Sequence, residues 1–243
     1  ELYRPLVATP QGDYDGILQT IVDLITAIES QIDERGSIGI CTPGALSPTT
    51  GLMRNSNSVC MNGKPVLTDL QDRSQREIRM ANDANCFALS EATDGAAKGD
   101  AIVFGVIIGT GTGAGIVIDK KVLVGANAIA GEWGHNPLPW PQDMELPGSQ
   151  CYCGKQGCIE TWLSGPGFMR DHEIHNNEFV DPETLANKAQ FGDFDAIETF
   201  QRYEDRMARS LAHVINVLDP DVIVLGGGTD SSTHRKLPMR RSV

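Results

Sequence analysis

The sequence contains no apolar run approaching eighteen residues, so it predicts no membrane-spanning helix. Basic residues are also scarce, with 20 Lys and Arg against 32 Asp and Glu and a net charge of -12. Because a nucleic-acid-binding protein needs a basic surface, we expect no nucleic acid and no membrane as partners. These absences indicate a cytoplasmic protein, although the opening Glu1 leaves open whether a signal or DNA-binding segment precedes it.

Aromatic residues are sparse at 6%, whereas glycine is frequent, with 26 residues in a chain of 243. That length can bury one large or two smaller cores, and the glycines favour tight turns and close approaches of backbone to ligands. Two domains are the better interpretation. We place the boundary near Asp100, giving a small N-terminal α/β domain over 1–100 and a larger C-terminal domain over 101–243.

Hydrophobic periodicity predicts an α/β fold. Apolar residues at helical spacing predict a helix from Tyr14 to Gly36, followed by a buried strand over 37–41 and a strand-then-helix pair around Asn82. This alternation favours a largely parallel sheet. The stretch 101–125 instead predicts an antiparallel meander, and the long amphipathic stretch 193–218 predicts a helix that leads into a strand and the glycine run at 226–228.

Cysteine is used sparingly, yet three of the six cysteines lie in CYCGKQGCIE, residues 151–160. Cys151, Cys153 and Cys158 leave a tetrahedral zinc one ligand short, and His135 in GEWGHNPLP is the natural fourth. A Cys3His set leaves no position for water, so the ion would be structural. A disulfide or buried free thiols are the alternatives, but cysteines one residue apart rarely meet disulfide geometry, and three cannot all pair.

Polar residues in loops suggest a second site. Asn82 and Asp83 follow a strand and precede a helix, where they would serve either as an N-cap or, for Asp83, as a base that takes a proton from a substrate hydroxyl. Asn57, Glu132 and Glu160 add amides and carboxylates of the kind that a polyhydroxylated ligand requires. Each of them singly is also typical of a solvated loop.

Two glycine-rich segments lie at strand ends. IIGTGTGAGI, residues 107–116, lacks the spacing and the following helix of a dinucleotide fingerprint. Its amides, with the Thr110 and Thr112 hydroxyls, would suit either a phosphate or an ordinary hairpin turn. LGGG at 225–228 suggests a nucleotide-facing strand end.

Together these motifs resemble the ROK family of bacterial sugar kinases, which has the actin/hexokinase-like (ribonuclease H-like) two-domain ATPase fold. GEWGH followed by CYCGKQGCIE is the most specific element. NDANCFALSEATDGAA, VIIGTGTGAG and GEWGHNPLPW look most like fructokinase and manno(fructo)kinase members. Glucokinases and N-acetylhexosamine kinases share much of this framework.

The resemblance implies a role for each matching residue. Asp83 would be the catalytic base, and the metal ligands would be His135, Cys151, Cys153 and Cys158. Hexose would be bound by Asn57, Asn82, Asp83, Glu132, His135 and Glu160, with His135 using one ring nitrogen for zinc and the other for a sugar hydroxyl. Mg-ATP would lie at Gly109, Thr110, Gly111, Thr112 and Gly113, and its adenosine at Gly226, Gly227 and Gly228.

The resemblance further implies phosphorylation of fructose at its 6-hydroxyl with ATP, Mg2+ and a structural Zn2+, in a homodimer. Glucose and N-acetylhexosamines are the alternative substrates. The first D-x-G-G-T-K turn of the family is not found in the sequence, nor are the helices that follow LGGG, so the fold is expected to be truncated at both ends. A sugar-responsive repressor and an inactive sugar-binding module therefore stay open as alternatives.

Overall fold

The computed structural model describes residues 2–227 and, as backbone alone, 235–238. The chain forms two compact units: the first holds the residues up to 86 together with 124–129, and the second holds 87–123 and the residues from 130 onward. The chain passes from one unit to the other within its third helix, ahead of the boundary predicted near Asp100.

The first unit contains two helices, the start of a third and two small sheets. The helices are α1 (Tyr14–Ile32), α2 (Val66–Ser74) and α3 (Asp83–Thr93). The strands are β1 (Ile38–Thr42), β2 (Ala45–Leu46), β3 (Met53–Arg54) and β4 (Ile78–Asn82). Strand β1 pairs with β4 in parallel, as the alternation of strands and helices predicts, and β2 with β3 forms a short antiparallel hairpin.

Helix α1 begins where its sequence allows capping. The Asp13 side chain accepts a hydrogen bond from the amide of Gly16 at 3.0 Å, which satisfies one of the unpaired amides of the first turn. The helix ends at Ile32 because Asp33 adopts a left-handed conformation, short of the Gly36 end that the sequence predicts. Its buried face, with Ile17 and Leu18, packs with Leu70 of α2 and with Ile78 of β4.

The second unit is built on a five-stranded sheet in the order β7-β6-β5-β8-β9. The strands are β5 (Ile102–Ile108), β6 (Thr112–Ile118), β7 (Lys121–Val122), β8 (Val222–Gly226) and β9 (Arg235–Pro238). The meander predicted over 101–125 is β5-β6-β7. Only β5 and β8 pair in parallel among the described strands of this sheet, so the parallel pairing that the strand–helix alternation favours earlier in the chain does not extend to the meander.

The described part of the second unit holds the rest of α3 and four further α-helices: α4 (Glu160–Leu163), α5 (Gly165–Asn176), α6 (Pro182–Gln190) and α7 (Phe194–Leu218). Met207 and Leu211 of α7 pack in one buried cluster with Phe104 of β5 and Trp133. The long amphipathic stretch thus forms the helix that the sequence predicts. Helices α5 and α6 were not predicted from the sequence.

A buried ion network ties α7 to α5 and to the loop before the cysteines. Arg206 donates to Glu145 and to Asp171, both at 2.8 Å, and Arg209 donates to Glu145 at 2.8 Å. Arg206, Glu145 and Asp171 are each 5% exposed or less. Burial of this kind is tolerated because every charge has an opposite charge at hydrogen-bond distance.

Across the part of the chain that the structure describes, no helix is long and apolar enough to cross a membrane.

Candidate functional site

The GEWGH segment lies against strand β6 because its two glycines have no side chain. A Cβ on Gly131 would come within 2.2 Å of the Ala114 carbonyl oxygen, and one on Gly134 would come within 2.0 Å of the Thr112 carbonyl oxygen. Trp133 anchors the segment to strand β5, since its ring packs edge-on against the ring of Phe104 with centroids 5.5 Å apart. These contacts give Glu132 and His135 a defined position next to the start of β6.

The cysteine loop returns to the same place by pairing with the GEWGH segment. The amide of Ile159 donates to the carbonyl of Asn136 at 2.9 Å, and the amide of Leu138 donates to the carbonyl of Gly157 at 2.9 Å. Gly157 adopts a left-handed conformation with φ 68°, which glycine allows without strain. The loop thereby brings its cysteines to His135, as the spacing predicts.

The four expected ligand atoms form one cluster. Those of His135, Cys151, Cys153 and Cys158 all lie within 4.8 Å of one another. The Cys151 sulfur is 3.5 Å from His135 Nδ1, and the sulfurs of Cys153 and Cys158 are 3.6 Å apart. All three cysteines are free thiols, so no disulfide competes for these sulfurs.

These distances fit a tetrahedral zinc ion. Zn–S and Zn–N bonds of about 2.3 and about 2.0 Å place tetrahedral sulfurs about 3.8 Å apart and sulfur and nitrogen about 3.5 Å apart. The observed separations of 3.6 and 3.5 Å match this geometry closely. Four protein ligands fill a tetrahedron, so the cluster suits a structural ion.

The imidazole of His135 has a partner on each nitrogen. Nδ1 faces the sulfurs, whereas Nε2 lies 3.0 Å from the hydroxyl of Tyr152. The two rings meet edge-on, with centroids 5.1 Å apart. Burial, followed by the charges of Glu160 and Glu132, raises the pKa of Tyr152 to about 12. The nitrogen for which the resemblance implies a sugar hydroxyl therefore meets the hydroxyl of Tyr152 in this structure.

Glu160 connects the cysteine loop to the glycine hairpin. Its Oε2 atom accepts a hydrogen bond from the amide of Thr112 at 3.0 Å, and a Cβ on Gly111 would come within 2.7 Å of the same oxygen. Glu160 lies two residues after Cys158, at the start of α4. A metal ion bound by Cys158 would therefore also fix the Glu160 carboxylate and, through it, Thr112, the first residue of β6.

The expected ATP-binding segments meet at one end of the sheet. Gly109, in the β5–β6 turn, accepts a hydrogen bond from the amide of Gly165 at the start of α5 at 2.8 Å. Gly227 follows β8 with φ 106°, and a Cβ on it would come within 1.9 Å of the Ile108 carbonyl oxygen. Gly226 likewise leaves room for the ring of Phe87. Gly228 lies outside the described residues.

The first unit holds Asp83 and Asn82 at the junction of β4 and α3. The Asn82 side chain accepts from the amide of Asn85 at 3.1 Å and donates to the carbonyl of Gly44 at 3.1 Å. Asn82 therefore does the capping that the sequence leaves open between these two residues. Asp83 is exposed, and its Oδ1 accepts from the amide of Ala84 at 2.8 Å. Its Oδ2 has no hydrogen-bond partner in the described part of the chain.

Asn57 lies in an exposed loop that a neighbouring amide side chain holds in place. Asn62 accepts from the Ser56 amide and donates to the Ser56 carbonyl, both at 2.9 Å. Asn62 is not among the residues that the sequence predicts for the site, although its place in SNSVCMN, within the same short loop, is a usable signal. Tyr152 is not among them either, and its position between the candidate ligands Cys151 and Cys153 is the signal for it.

Comparison with known proteins identifies the family of the chain. The ROK family model matches residues 1–243. The chain is 36% identical over 246 residues to an N-acetyl-D-glucosamine kinase of Pectobacterium atrosepticum, covering 99% of this chain and 81% of that protein.

Solved structures of the same family share the fold of this chain. A ROK hexokinase from Thermus thermophilus superposes with a TM-score of 0.74 at 30% identity, over 91% of this chain and 72% of that chain. A ROK family glucokinase from Streptomyces griseus, in complex with glucose and AMPPNP, superposes with a TM-score of 0.75 at 26% identity, over 91% and 74%. The fold is thus the expected actin/hexokinase-like one. The chain belongs to the ROK family and is an ATP-dependent sugar kinase.

Proposed function

We propose that this protein transfers the terminal phosphoryl group of Mg-ATP to a hydroxyl of a hexose or N-acetylhexosamine. The contact between Glu160 and Thr112 carries the proposal. It joins the Cys3His loop to the glycine hairpin that we assign to phosphate binding, so sugar-binding and phosphate-binding segments lie side by side in the second unit.

Sugar recognition in the second unit falls to Glu132, Glu160 and the His135–Tyr152 pair. Carboxylates accept hydrogen bonds from sugar hydroxyls, and a phenol both donates and accepts, so this set suits a ligand whose groups do both. In the first unit, Asn57 and Asn82 are the proposed contacts to sugar. Because the Asn82 side chain already has two backbone partners, we assign it chiefly to holding the Asp83 junction in place.

Asp83 is the proposed base. Phosphoryl transfer has a loose transition state, so alignment and charge neutralisation contribute more than the strength of the base. Asp83 Oδ1 is held by the Ala84 amide, which leaves Oδ2 to orient the acceptor hydroxyl and to take its proton late in the reaction. The amides at Gly109–Gly113 would stabilise charge on the phosphoryl oxygens.

Zinc is the metal that we assign to His135, Cys151, Cys153 and Cys158. When bound, it supplies no reactive water and instead fixes the loop that carries Glu160 and Tyr152. With its Nδ1 on the metal side, neutral His135 keeps its proton on Nε2. That nitrogen is then a hydrogen-bond donor in a fixed direction.

Two sugars are candidates for the acceptor. The relative from Pectobacterium favours N-acetyl-D-glucosamine. Fructose is the second candidate, because the stretches NDANCFALSEATDGAA and GEWGHNPLPW look most like fructokinases. Discrimination between them depends on a few polar contacts, since a buried group left without its sugar partner lowers the rate for the wrong substrate.

A coupled assay of ATP consumption with N-acetyl-D-glucosamine, fructose, mannose and glucose tests the proposal, with calorimetric binding of each sugar measured in parallel. We expect turnover with at least one sugar and a clear preference for one of the two candidates. Sugar binding without turnover would instead favour the inactive module. The repressor alternative would gain only if such binding changed the affinity of the protein for DNA.

A further inference from the structure

Arg206 of α7 makes a contact outside the buried ion network. Its guanidinium donates to Glu145 and to Asp171, both at 2.8 Å, and its Cζ atom also lies 4.5 Å from the centre of the Trp162 ring. Arg206 is 3% exposed, so this stack is shielded from water, which strengthens the attraction between a cation and an indole face. Trp162 belongs to α4 and follows Glu160 by two residues.

Helix α4 depends on its neighbours for its orientation. It spans only Glu160–Leu163, about one turn, and a helix this short has almost no stability without tertiary contacts. Helix α7 supplies two of these contacts. They are the stack of Arg206 on Trp162 and a hydrogen bond of 2.9 Å from the hydroxyl of Tyr203 to the carbonyl of Leu163. The direction of α4 therefore depends on α7.

This direction matters because Glu160 is the first residue of α4. Its Oε2 atom accepts from the amide of Thr112 at 3.0 Å and lies close to Gly111. Its Oε1 atom has no hydrogen-bond partner in the part of the chain that the structure describes, so this oxygen can accept from a sugar hydroxyl. A hydrogen bond weakens steeply as its angle departs from linearity, so a small rotation of α4 is enough to weaken such a contact.

The three contacts of Arg206 require an arginine. The edges of the planar guanidinium carry the N–H groups, with Nε bonded to Glu145 and Nη1 to Asp171. Its face is left for the indole of Trp162. A lysine ammonium at the same position would keep the charge but has no planar face to stack. The two carboxylates also keep the guanidinium from turning, because each is bonded to a different nitrogen.

We propose that Arg206 is a positioning residue for sugar recognition. Its guanidinium, held by Glu145 and Asp171, stacks on Trp162 and so sets the direction in which Glu160 presents Oε1 to the hexose. This proposal rests on the proposed function, in which Glu160 contacts the sugar. It gives the buried network a part in substrate binding in addition to its part in stability.

The Arg206→Lys variant keeps the charge and removes the stack. We expect the dissociation constant of the preferred sugar, measured by calorimetry, to rise about 3- to 10-fold, the value of one buried cation–π contact. Arg202→Lys is the matched control, since Arg202 bonds the same Asp171 at 2.8 Å and its other described contact is Thr199. This control should lower the stability of the protein but leave sugar affinity within about 2-fold of wild type.

The Trp162→Leu variant removes the same stack from the other side and leaves Arg206 bonded to both carboxylates. It should weaken sugar binding by the same factor as Arg206→Lys. Because it leaves no buried charge without a partner, it decides the question if Arg206→Lys does not fold.

A double-mutant cycle with Glu160→Gln separates positioning from a general loss of structure. If Arg206 acts through Glu160, then Arg206→Lys or Trp162→Leu should change sugar affinity by less than about 2-fold once the carboxylate is gone. An equal loss in both backgrounds, an equal loss in Arg202→Lys, or unchanged affinity in both stack variants would overturn this proposal alone. Wild-type protein that binds no hexose would overturn the proposed function together with it.

Discussion

At the residue scale, Asp83 shows how one position can satisfy two interpretations. The sequence leaves open whether Asp83 is an N-cap or a base; in the structure Asn82 caps the helix, and the role of Asp83 as the base remains a proposal. Asn82 binds the Asn85 amide of the first turn, and Asp83 keeps one oxygen without a partner in the described part of the chain. The division depends on side-chain directions at the end of β4, which sequence alone does not determine.

Replacing Asp83 with Asn should lower kcat by about 100- to 10,000-fold, the usual contribution of a general base. Sugar KM should change little, since the amide keeps the size of the side chain and its hydrogen-bonding oxygen. The matched control is Asp94→Asn, an exposed carboxylate just after the same helix, which should keep wild-type kinetics. Unchanged turnover in the Asp83 variant would remove Asp83 from the reaction.

The zinc assignment is tested at Cys153. Cys153→Ser should lose stoichiometric zinc, measured by elemental analysis after dialysis, because three ligands hold the ion far more weakly than four. Sugar binding should weaken with it, since the loop also carries Glu160. Cys41→Ser replaces an exposed cysteine outside the cluster and should retain the metal. Full zinc content in the Cys153 variant would contradict the ligand set.

At the scale of elements, the GEWGH segment is positioned by contacts that its sequence only hints at. Its glycines are needed for close approach to β6, and the approach itself exists because Trp133 packs on Phe104 of β5. The motif therefore identified the site, whereas its position depends on a sheet assembled from distant segments.

The Gly134→Ala variant tests this packing. A Cβ there would lie 2.0 Å from the Thr112 backbone oxygen, so the segment must shift away from β6. We expect the free energy of unfolding from urea titration to fall by about 1–3 kcal/mol, as for other overpacked positions. Sugar affinity should fall as well, because Glu132 and His135 move with the segment. Gly36→Ala is the control, since a Cβ at Gly36 meets no atom within 4 Å. Equal stability and affinity in both variants would show that the segment is not held against the strand.

Helix α7 shows what sequence periodicity does not reveal. Arg202, Arg206 and Arg209 recur at the helical spacing of its buried face, which is a usable signal of buried charge. Their partners, Glu145 and Asp171, lie in a loop and in the unpredicted helix α5. Residues this far apart in sequence cannot be matched from spacing.

At the scale of the whole molecule, this network makes stability depend on pH. Burial raises the pKa of Glu145, but hydrogen bonds from Arg209 and Arg206 outweigh it and hold the pKa below its ordinary value. The unfolded chain binds a proton at Glu145 more readily than the folded chain does. The stabilisation is therefore complete above the ordinary glutamate pKa of about 4.3 and is lost as the pH falls through the lower folded value.

The Glu145→Gln variant should isolate this contribution. Near neutral pH we expect it to be less stable than wild type by about 2 kcal/mol, because charged hydrogen bonds become neutral ones and both arginines lose their counter-charge. The difference should shrink as the pH falls below about 4, where the unfolded wild type takes up a proton, and it should be lost below the lower folded pKa, where folded wild type also carries a neutral group. Denaturant unfolding at a series of pH values measures it, with the exposed Asp143→Asn as the control from the same loop. A difference that does not vary with pH would mean that Glu145 is not ionised in the folded protein.

The sequence by itself determined the family of this protein and the residues proposed for its chemistry. Short motifs identified the family and predicted the metal-ligand set, the acidic junction at Asp83 and the glycine hairpin, because these functions require particular residue types at short spacing. Only the tertiary structure decided which atoms meet: Nε2 of His135 with Tyr152, Glu160 with the Thr112 amide, and the arginines of α7 with Glu145 and Asp171. Each of these contacts joins segments that the folded sheet and loops bring together, and their side-chain directions follow from packing that local sequence does not encode.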